Sequence, residues 1–346
     1  MRHLFFSLSA ACILLFLFSA VADCQVSPSV SVSKDSLEGE LDTLVPQLLK
    51  KENVPSVSLA VIRNGKVLLV KAYGLADKLI NTPASIATIF QIGSVSKTLT
   101  AFAVLRLAEQ KMINLDDPIG KYLKRWQLPA SKYDNNGVTI RRVLSHTAGL
   151  SISGYHGVFV PGDKLPSLPE SLNGYSGSDG ALQVIHEPGS IFQYSSGGYT
   201  LLQLLIEDVT NTSFEKYMLE NVFYQLGMKN TVYSWSKELE QSVATPYDDK
   251  GDRWLHYQFA ESGSGGVYTT ATDLARFLII LCDGGKSDDF KKYSSQMITP
   301  SPGTGNNYGL GCKIFPINET QKVITHDGAN EGWRAAYYIH PPKETA

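Results

Sequence analysis

A serine acts as a nucleophile when a neighbouring base takes its proton and donors hold the oxyanion its attack creates. Ser94-Val95-Ser96-Lys97 meets the first need. Residues three apart share a face of a helix. A lysine placed there can take the serine proton if burial or nearby cations lower its own pKa. A serine at a helix start also meets the positive end of the helix dipole. The spacing alone is common, since Ser31/Lys34, Ser213/Lys216 and Ser234/Lys237 repeat it. Context separates them. Only Ser94 lies between a strand-like approach, Phe90-Gln91-Ile92-Gly93, and an apolar helix through Leu99, Phe102 and Leu105.

Two further segments carry chemistry. Glu187 to Tyr199 holds Tyr194-Ser195-Ser196-Gly197-Gly198, a tight Gly/Ser turn that leads into a helix. A tyrosine there can project its phenol into a cleft, and as a phenolate near cations it could serve as a base for Ser94. Read by itself the segment favours a core tyrosine ahead of a buried helix. His326-Asp327-Gly328-Ala329 sits in a strand-like stretch, where glycine permits close backbone approach by a substrate. Read by itself, His326 fits an ordinary surface histidine.

The elements that must position these residues follow from periodicity. Leu37, Leu41, Leu44 and Leu48 repeat at a helical period. Ser56 to Ile62 and Lys66 to Tyr73 read as strands joined by Asn64-Gly65, a hairpin turn. A helix follows Ser94 to about Gln110. Residues 115–250 read as mostly helical patterns broken by Gly/Pro/Ser loops, chiefly Ser151 to Gly180. Gly265 to Thr270 reads as a strand entry, and a helix runs from Thr272 to about Cys282. Tyr308 to Phe315, Lys322 to His326 and Trp333 to His340 read as strands. Strands therefore stand at both ends of the chain and helices between them. The fold class is α+β: an antiparallel sheet from both chain ends, flanked by helices, with an inserted mostly helical region.

Composition sets the frame. The 346 residues are 43% hydrophobic and 18% charged, enough to bury a core, and the net charge is −2. No Lys/Arg run stands out, which argues against nucleic acid or an anionic membrane as partner. Met1 to His3 carries one Arg, Leu4 to Val21 is apolar, and Ala20-Val21-Ala22 fits signal-peptidase cleavage before Asp23. The expected division is a signal peptide at 1–22, a loose linker at 23–36 and one domain at 37–346, exported to the periplasm or medium. An uncleaved membrane anchor is the alternative. Cys282 and Cys312 are read either as a disulfide or as two buried thiols, with the thiols favoured. Asn211-Thr212-Ser213 and Asn318-Glu319-Thr320 are glycosylation triplets that matter only if the host glycosylates.

Together, Ser-x-x-Lys early, Tyr-x-Ser midway and His-x-Gly late make a pattern. It resembles the penicillin-recognising serine hydrolases: class C β-lactamases, DD-peptidases and related esterases. Connecting segments share the resemblance, among them Leu144-Ser-His-Thr-Ala-Gly-Leu150 and Gly265-Gly-Val-Tyr-Thr-Thr-Ala-Thr-Asp-Leu-Ala-Arg276. It implies a β-lactamase/transpeptidase-like fold over about residues 37–340. It implies Ser94 as acylated nucleophile, Lys97 and Tyr194 as proton handlers, and an oxyanion hole from the backbone N–H groups of Ser94 and Ala329. His146 would hold a loop. Ser196, His326, Gly328 and Ala329 would meet a small-molecule or peptide substrate, without metal or organic cofactor.

Three departures bear on substrate. Ser196 replaces the asparagine of many members. His326-Asp327-Gly328 stands where β-lactamases usually carry Lys-Thr-Gly, so a cation becomes a histidine and a hydroxyl becomes an anion that repels a substrate carboxylate. Efficient β-lactam hydrolysis is therefore not expected, and Arg334 is the candidate replacement for the cation. Finally, the chain stops at Ala346, where the resemblance implies one more strand and a terminal helix, so the expectation is a fragment.

Overall fold

The computed structural model describes residues 33–157, 159–283, 295–318 and 321–340. The expected signal peptide lies outside the described residues. Helix α1 (Lys34–Lys51) opens earlier than its apolar period does, because the Ser33 side chain accepts a bond from the Ser36 amide and caps it. It lays Leu41, Val45 and Leu49 on the hairpin of β1 (Ser56–Arg63) and β2 (Lys66–Asp77). Arg63 pairs with Lys66 across Asn64 and Gly65, whose φ angles of 52° and 66° make the two-residue turn that this dipeptide favours. A short β3 (Thr82–Pro83) extends this sheet.

The helical region starts after β4 (Phe90–Gln91), which pairs with β5 (Tyr268–Thr269). Helix α2 (Ser96–Glu109) is buried at every residue from Ser96 to Leu105, as a helix with apolar residues all round must be. Residues 110–195 hold less regular helix than their pattern predicts. The described α-helices there are only α3 (Ile140–Leu144) and α4 (Leu168–Leu172); two 3-10 turns, Ile119–Lys121 and Asn135–Gly137, and glycine- and proline-bearing loops take up the rest. Helix α5 (Ser196–Thr210) is a second buried rod, followed by α6 (Phe214–Met218), α7 (Lys237–Glu240) and α8 (Ser262–Gly265). Helix α9 (Ala271–Asp283) takes its cap from Thr270, whose hydroxyl accepts from the Asp273 amide at 3.1 Å.

The C-terminal strands β6 (Lys313–Pro316), β7 (Lys322–Asn330) and β8 (Trp333–Ile339) form an antiparallel sheet in that order. The stretch expected as a strand from Tyr308 enters the ladder only at Lys313. A Cβ on Gly309 would fall 1.9 Å from the Met297 carbonyl and one on Gly311 2.4 Å from Ala101, so this segment is pressed into the core instead. Among the described residues the two end sheets share no ladder. Helix α9 packs on β1 and β2, and its Phe277 belongs to the core that also holds Ile314, Ile324 and Ile339. Cys312 is a buried free thiol in that core, and the side chain of Cys282 lies outside the described residues.

Candidate active site

Ser94 sits in a single 3-10 turn, Gly93–Val95, that feeds α2. The turn is held from both sides: Ile92 donates to the Val267 carbonyl at 3.0 Å, and Val95 donates to Ile92 at 3.2 Å. Gly93 takes φ +50°, a left-handed conformation that glycine adopts freely. One turn on, the Lys97 side chain is 1% exposed. Its Nζ donates to Ser94 Oγ at 3.1 Å and to the Ser264 carbonyl on α8 at 2.6 Å. It also lies 5.1 Å from the centre of the Tyr194 ring. Burial lowers the Lys97 pKa to about 7, with help from Lys313 and against the opposing pull of Asp327. A carbonyl only accepts, so one N–H of Lys97 is committed to Ser264. Without its extra proton the amine can turn a lone pair to the Ser94 hydroxyl.

Tyr194 immediately precedes the cap of α5. The Ser195 hydroxyl accepts from the Gly198 amide at 2.9 Å, and the Ser195 amide donates to His146 Nδ1 at 3.1 Å. The His146 ring lies 4.4 Å from that of Tyr194. His146 thus braces the tyrosine, and burial and Lys97 keep it neutral. The Tyr194 phenol lies close enough to the Ser94 side chain to feel it electrostatically. Burial raises the pKa of this phenol, so it stays protonated, and the expectation of a phenolate base gives way to that of a proton donor and relay.

Strand β7 closes the other side. A Cβ on Gly328 would fall 2.0 Å from the Ile92 carbonyl and 2.8 Å from the Ser94 amide nitrogen, and one on Gly93 2.9 Å from the Ala329 nitrogen. These two glycines are what let strand and turn meet. Alternate residues of an antiparallel strand turn their polar groups to the partner and away from it. Counting from the Asn330↔Trp333 pair that closes the hairpin, Ala329 turns its amide away from β8. The amides of Ser94 and Ala329 therefore lie beside the nucleophile as a pair of donors. Asn330 pins the strand end, donating to Gln91 Oε1 at 2.7 Å and to the Gly265 carbonyl at 3.1 Å.

Two expected substrate contacts are placed elsewhere. The Ser196 hydroxyl donates to the Ser153 carbonyl at 2.8 Å, so its proton serves the Ser151–Gly180 loop. His326 is 1% exposed. Its Nδ1 lies 2.7 Å from the Asp327 carbonyl and its Nε2 3.2 Å from the Tyr308 hydroxyl. Since the carbonyl can only accept, Nδ1 carries the proton and Nε2 accepts from the tyrosine. Burial and Lys97 hold the His326 pKa well below the usual imidazole value, so this ring is a neutral strand support and no substitute for the lost cation. Arg334 is held against the backbone, its Nη1 donating to the Asn330 and Trp333 carbonyls at 2.8 and 2.7 Å. The sequence reading missed Lys313, which pairs with Asp327 and whose charge reaches Lys97. Lys313 joins the site only through the β6–β7 register, and no spacing along the chain signals that.

The beta-lactamase family model matches residues 41–346. The chain belongs to the beta-lactamase family. Among curated members it is similar to Protein flp of Staphylococcus aureus strain MW2, 25% identical over 311 residues that cover 87% of this chain and 60% of that protein. It is also similar to the putative penicillin-binding protein PbpX of Bacillus subtilis strain 168, 26% identical over 262 residues, covering 74% of this chain and 61% of PbpX. The chain thus spans about 60% of the length of these relatives. Among solved structures, the octameric penicillin-binding protein homologue from Pyrococcus abyssi superposes with a TM-score of 0.72 at 25% identity, covering 89% of this chain and 71% of the homologue. The α+β beta-lactamase/transpeptidase-like fold follows from these matches together with the mixed helices and antiparallel sheets.

Proposed function

We propose that this chain is a serine hydrolase that works through an acyl-enzyme on Ser94. The observation that carries the reading is the Lys97 amine, buried between Ser94 Oγ and the Ser264 carbonyl with its pKa near 7. Neutral Lys97 takes the Ser94 proton as Oγ attacks the carbonyl carbon. The oxyanion that forms accepts from the Ser94 and Ala329 amides. When the tetrahedral species collapses, the leaving group departs with a proton passed through Lys97 and the Tyr194 hydroxyl. Water then attacks the acyl-enzyme by the same route, releasing the acid and restoring Ser94. The substrate is an ester, amide or peptide. Asp327 beside the oxyanion donors disfavours a carboxylate-bearing β-lactam, so peptidase or esterase activity ranks above β-lactamase activity. The apolar run Leu4 to Val21 ending in Ala20-Val21-Ala22 supports export of the chain.

The test is hydrolysis of p-nitrophenyl acetate and butyrate, together with intact-mass detection of a fluorophosphonate adduct, each beside Ser94→Ala. Turnover and a single adduct, both lost in Ser94→Ala, are the expected result. Hydrolysis that persists in that variant overturns the reading. The likeness to the putative penicillin-binding protein PbpX and to the Pyrococcus penicillin-binding protein homologue favours a second reading, a penicillin-binding module that acylates and hardly deacylates. Stable trapping of a labelled penicillin on Ser94, with no ester turnover, would select it.

A further inference from the structure

The cleft contains a cation that its own fold has already neutralised. Lys313 pairs with Thr325 across the β6–β7 ladder. Asp327 lies two residues further along β7 on the same face, the diagonal position that long side chains reach. The two side chains form an ion pair, with 31% of Lys313 and 64% of Asp327 exposed. The ladder partner of β7 ends there, and among the described residues no strand runs beside Asp327 to Asn330 on that edge. Both charges act on the reacting groups. Lys313 pushes the Lys97 pKa down while Asp327 pushes it up, and Asp327 acts in the same sense on Tyr194. His326 is neutral and offers a substrate no charge, while Arg334 keeps its guanidinium charge with Nη1 turned onto the Asn330 and Trp333 carbonyls.

We propose that the Lys313–Asp327 pair is a specificity device of the Ser94 site: Asp327 occupies Lys313 as an internal carboxylate, so the cleft takes uncharged acyl groups and turns away those that carry a carboxylate of their own. An exposed pair of this kind contributes little to stability and is easily exchanged. A substrate carboxylate that displaced Asp327 from Lys313 would leave Asp327 beside it as an unpaired like charge. The exchange gains nothing while Asp327 is present and becomes favourable once it is neutral. The charge on Lys313 is therefore latent, and one residue masks it.

The inference rests on the acyl-enzyme reading above. The probes are p-nitrophenyl monoesters of succinate, glutarate and adipate, each beside its methyl ester, so that the carboxylate is offered at three reaches. In the wild type the methyl esters are the better substrates. In Asp327→Asn the ratio of monoester to methyl ester kcat/KM rises about tenfold for at least one chain length. In Asp327→Asn/Lys313→Met it returns to the wild-type value. A ratio within about twofold of wild type at every length in Asp327→Asn overturns the proposal, as does a gain that survives the loss of Lys313. Hydrolysis that persists in Ser94→Ala, or the absence of any Ser94-dependent hydrolysis, removes the serine-hydrolase reading itself. Ser94-dependent hydrolysis with an unchanged ratio removes only the present inference.

Discussion

Lys97→Met is expected to lower kcat/KM for any substrate of this site by roughly a thousandfold or more, while making the folded chain more stable at neutral pH. The first effect follows from position. Lys97 is the base in hydrogen-bond contact with Ser94 Oγ whose pKa lies near the working range, and burial keeps Tyr194 protonated. Wild-type activity should therefore rise with pH through about 7 as the amine loses its proton, and this limb should vanish in the variant. The second effect follows from the same burial. An unfolded lysine holds its proton up to about 10.5, whereas the folded one releases it at about 7. Between those values the unfolded chain binds more protons, so wild-type stability rises with pH across that window. The cost is present in full below about pH 7 and fades towards 10.5. A displacement of that size corresponds to about 5 kcal/mol at and below neutral pH. Methionine removes the charge but leaves the Ser264 carbonyl without this partner, which gives back part of the gain. The net expectation is a gain of about 2 kcal/mol at pH 7, with a rise of a few degrees in Tm, turning into a loss of about 1–2 kcal/mol at pH 10, where the charge cost has faded and the lost Ser264 bond remains. Chemical denaturation at both pH values measures it. A variant less stable than wild type at pH 7 would mean that Lys97 sits charged and paired, and the base role would fall with it.

The legibility of this site in the sequence divides along a physical line. Ser94 and Lys97 are neighbours on one helix, so their meeting is local and their spacing announces it. Asn64-Gly65 and the strands around it are local in the same sense. Tyr194 and the Gly328–Ala329 edge come from segments far apart in the chain, and only the joint pattern of three segments brought them forward. What failed to be legible depends on where a donor points or on register. Ser196 has the right type and place, yet its hydroxyl is spent on Ser153. His326 has the right place, yet a carbonyl and a tyrosine fix its tautomer and burial removes its charge. Lys313 is invisible until β6 is set against β7, because a single lysine after Gly309-Leu-Gly-Cys312 carries no periodic signal. The missing helices between residues 110 and 195 fail for a related reason. Apolar residues there pack at helical intervals against α2 and α5, while the glycine- and proline-rich backbone between them takes loop conformations.

Gly328→Ala should cost roughly a hundredfold to a thousandfold in kcat without touching a side chain that does chemistry. The added methyl would meet the Ile92 carbonyl at 2.0 Å and the Ser94 amide nitrogen at 2.8 Å. Both are backbone atoms, so no rotamer change relieves the contact, and the strand and the nucleophile turn must separate. Separation is what the oxyanion pair cannot tolerate, since one donor belongs to the turn and the other, Ala329, to the strand. The same movement strains the bonds from Asn330 to Gln91 and Gly265, which tie β7 to β4 and α8. A stability loss of about 1–3 kcal/mol is expected, the usual size for overpacking. Circular dichroism and a thermal melt separate a folded, slow enzyme from an unfolded one. The kcat–KM split then identifies the cause, because loss of a donor that acts on the developing oxyanion falls mainly on kcat. Retention of kcat within about threefold, in a folded variant, would place the oxyanion somewhere other than between Ser94 and Ala329. The close approach of Gly93 and Gly328 would then be packing alone.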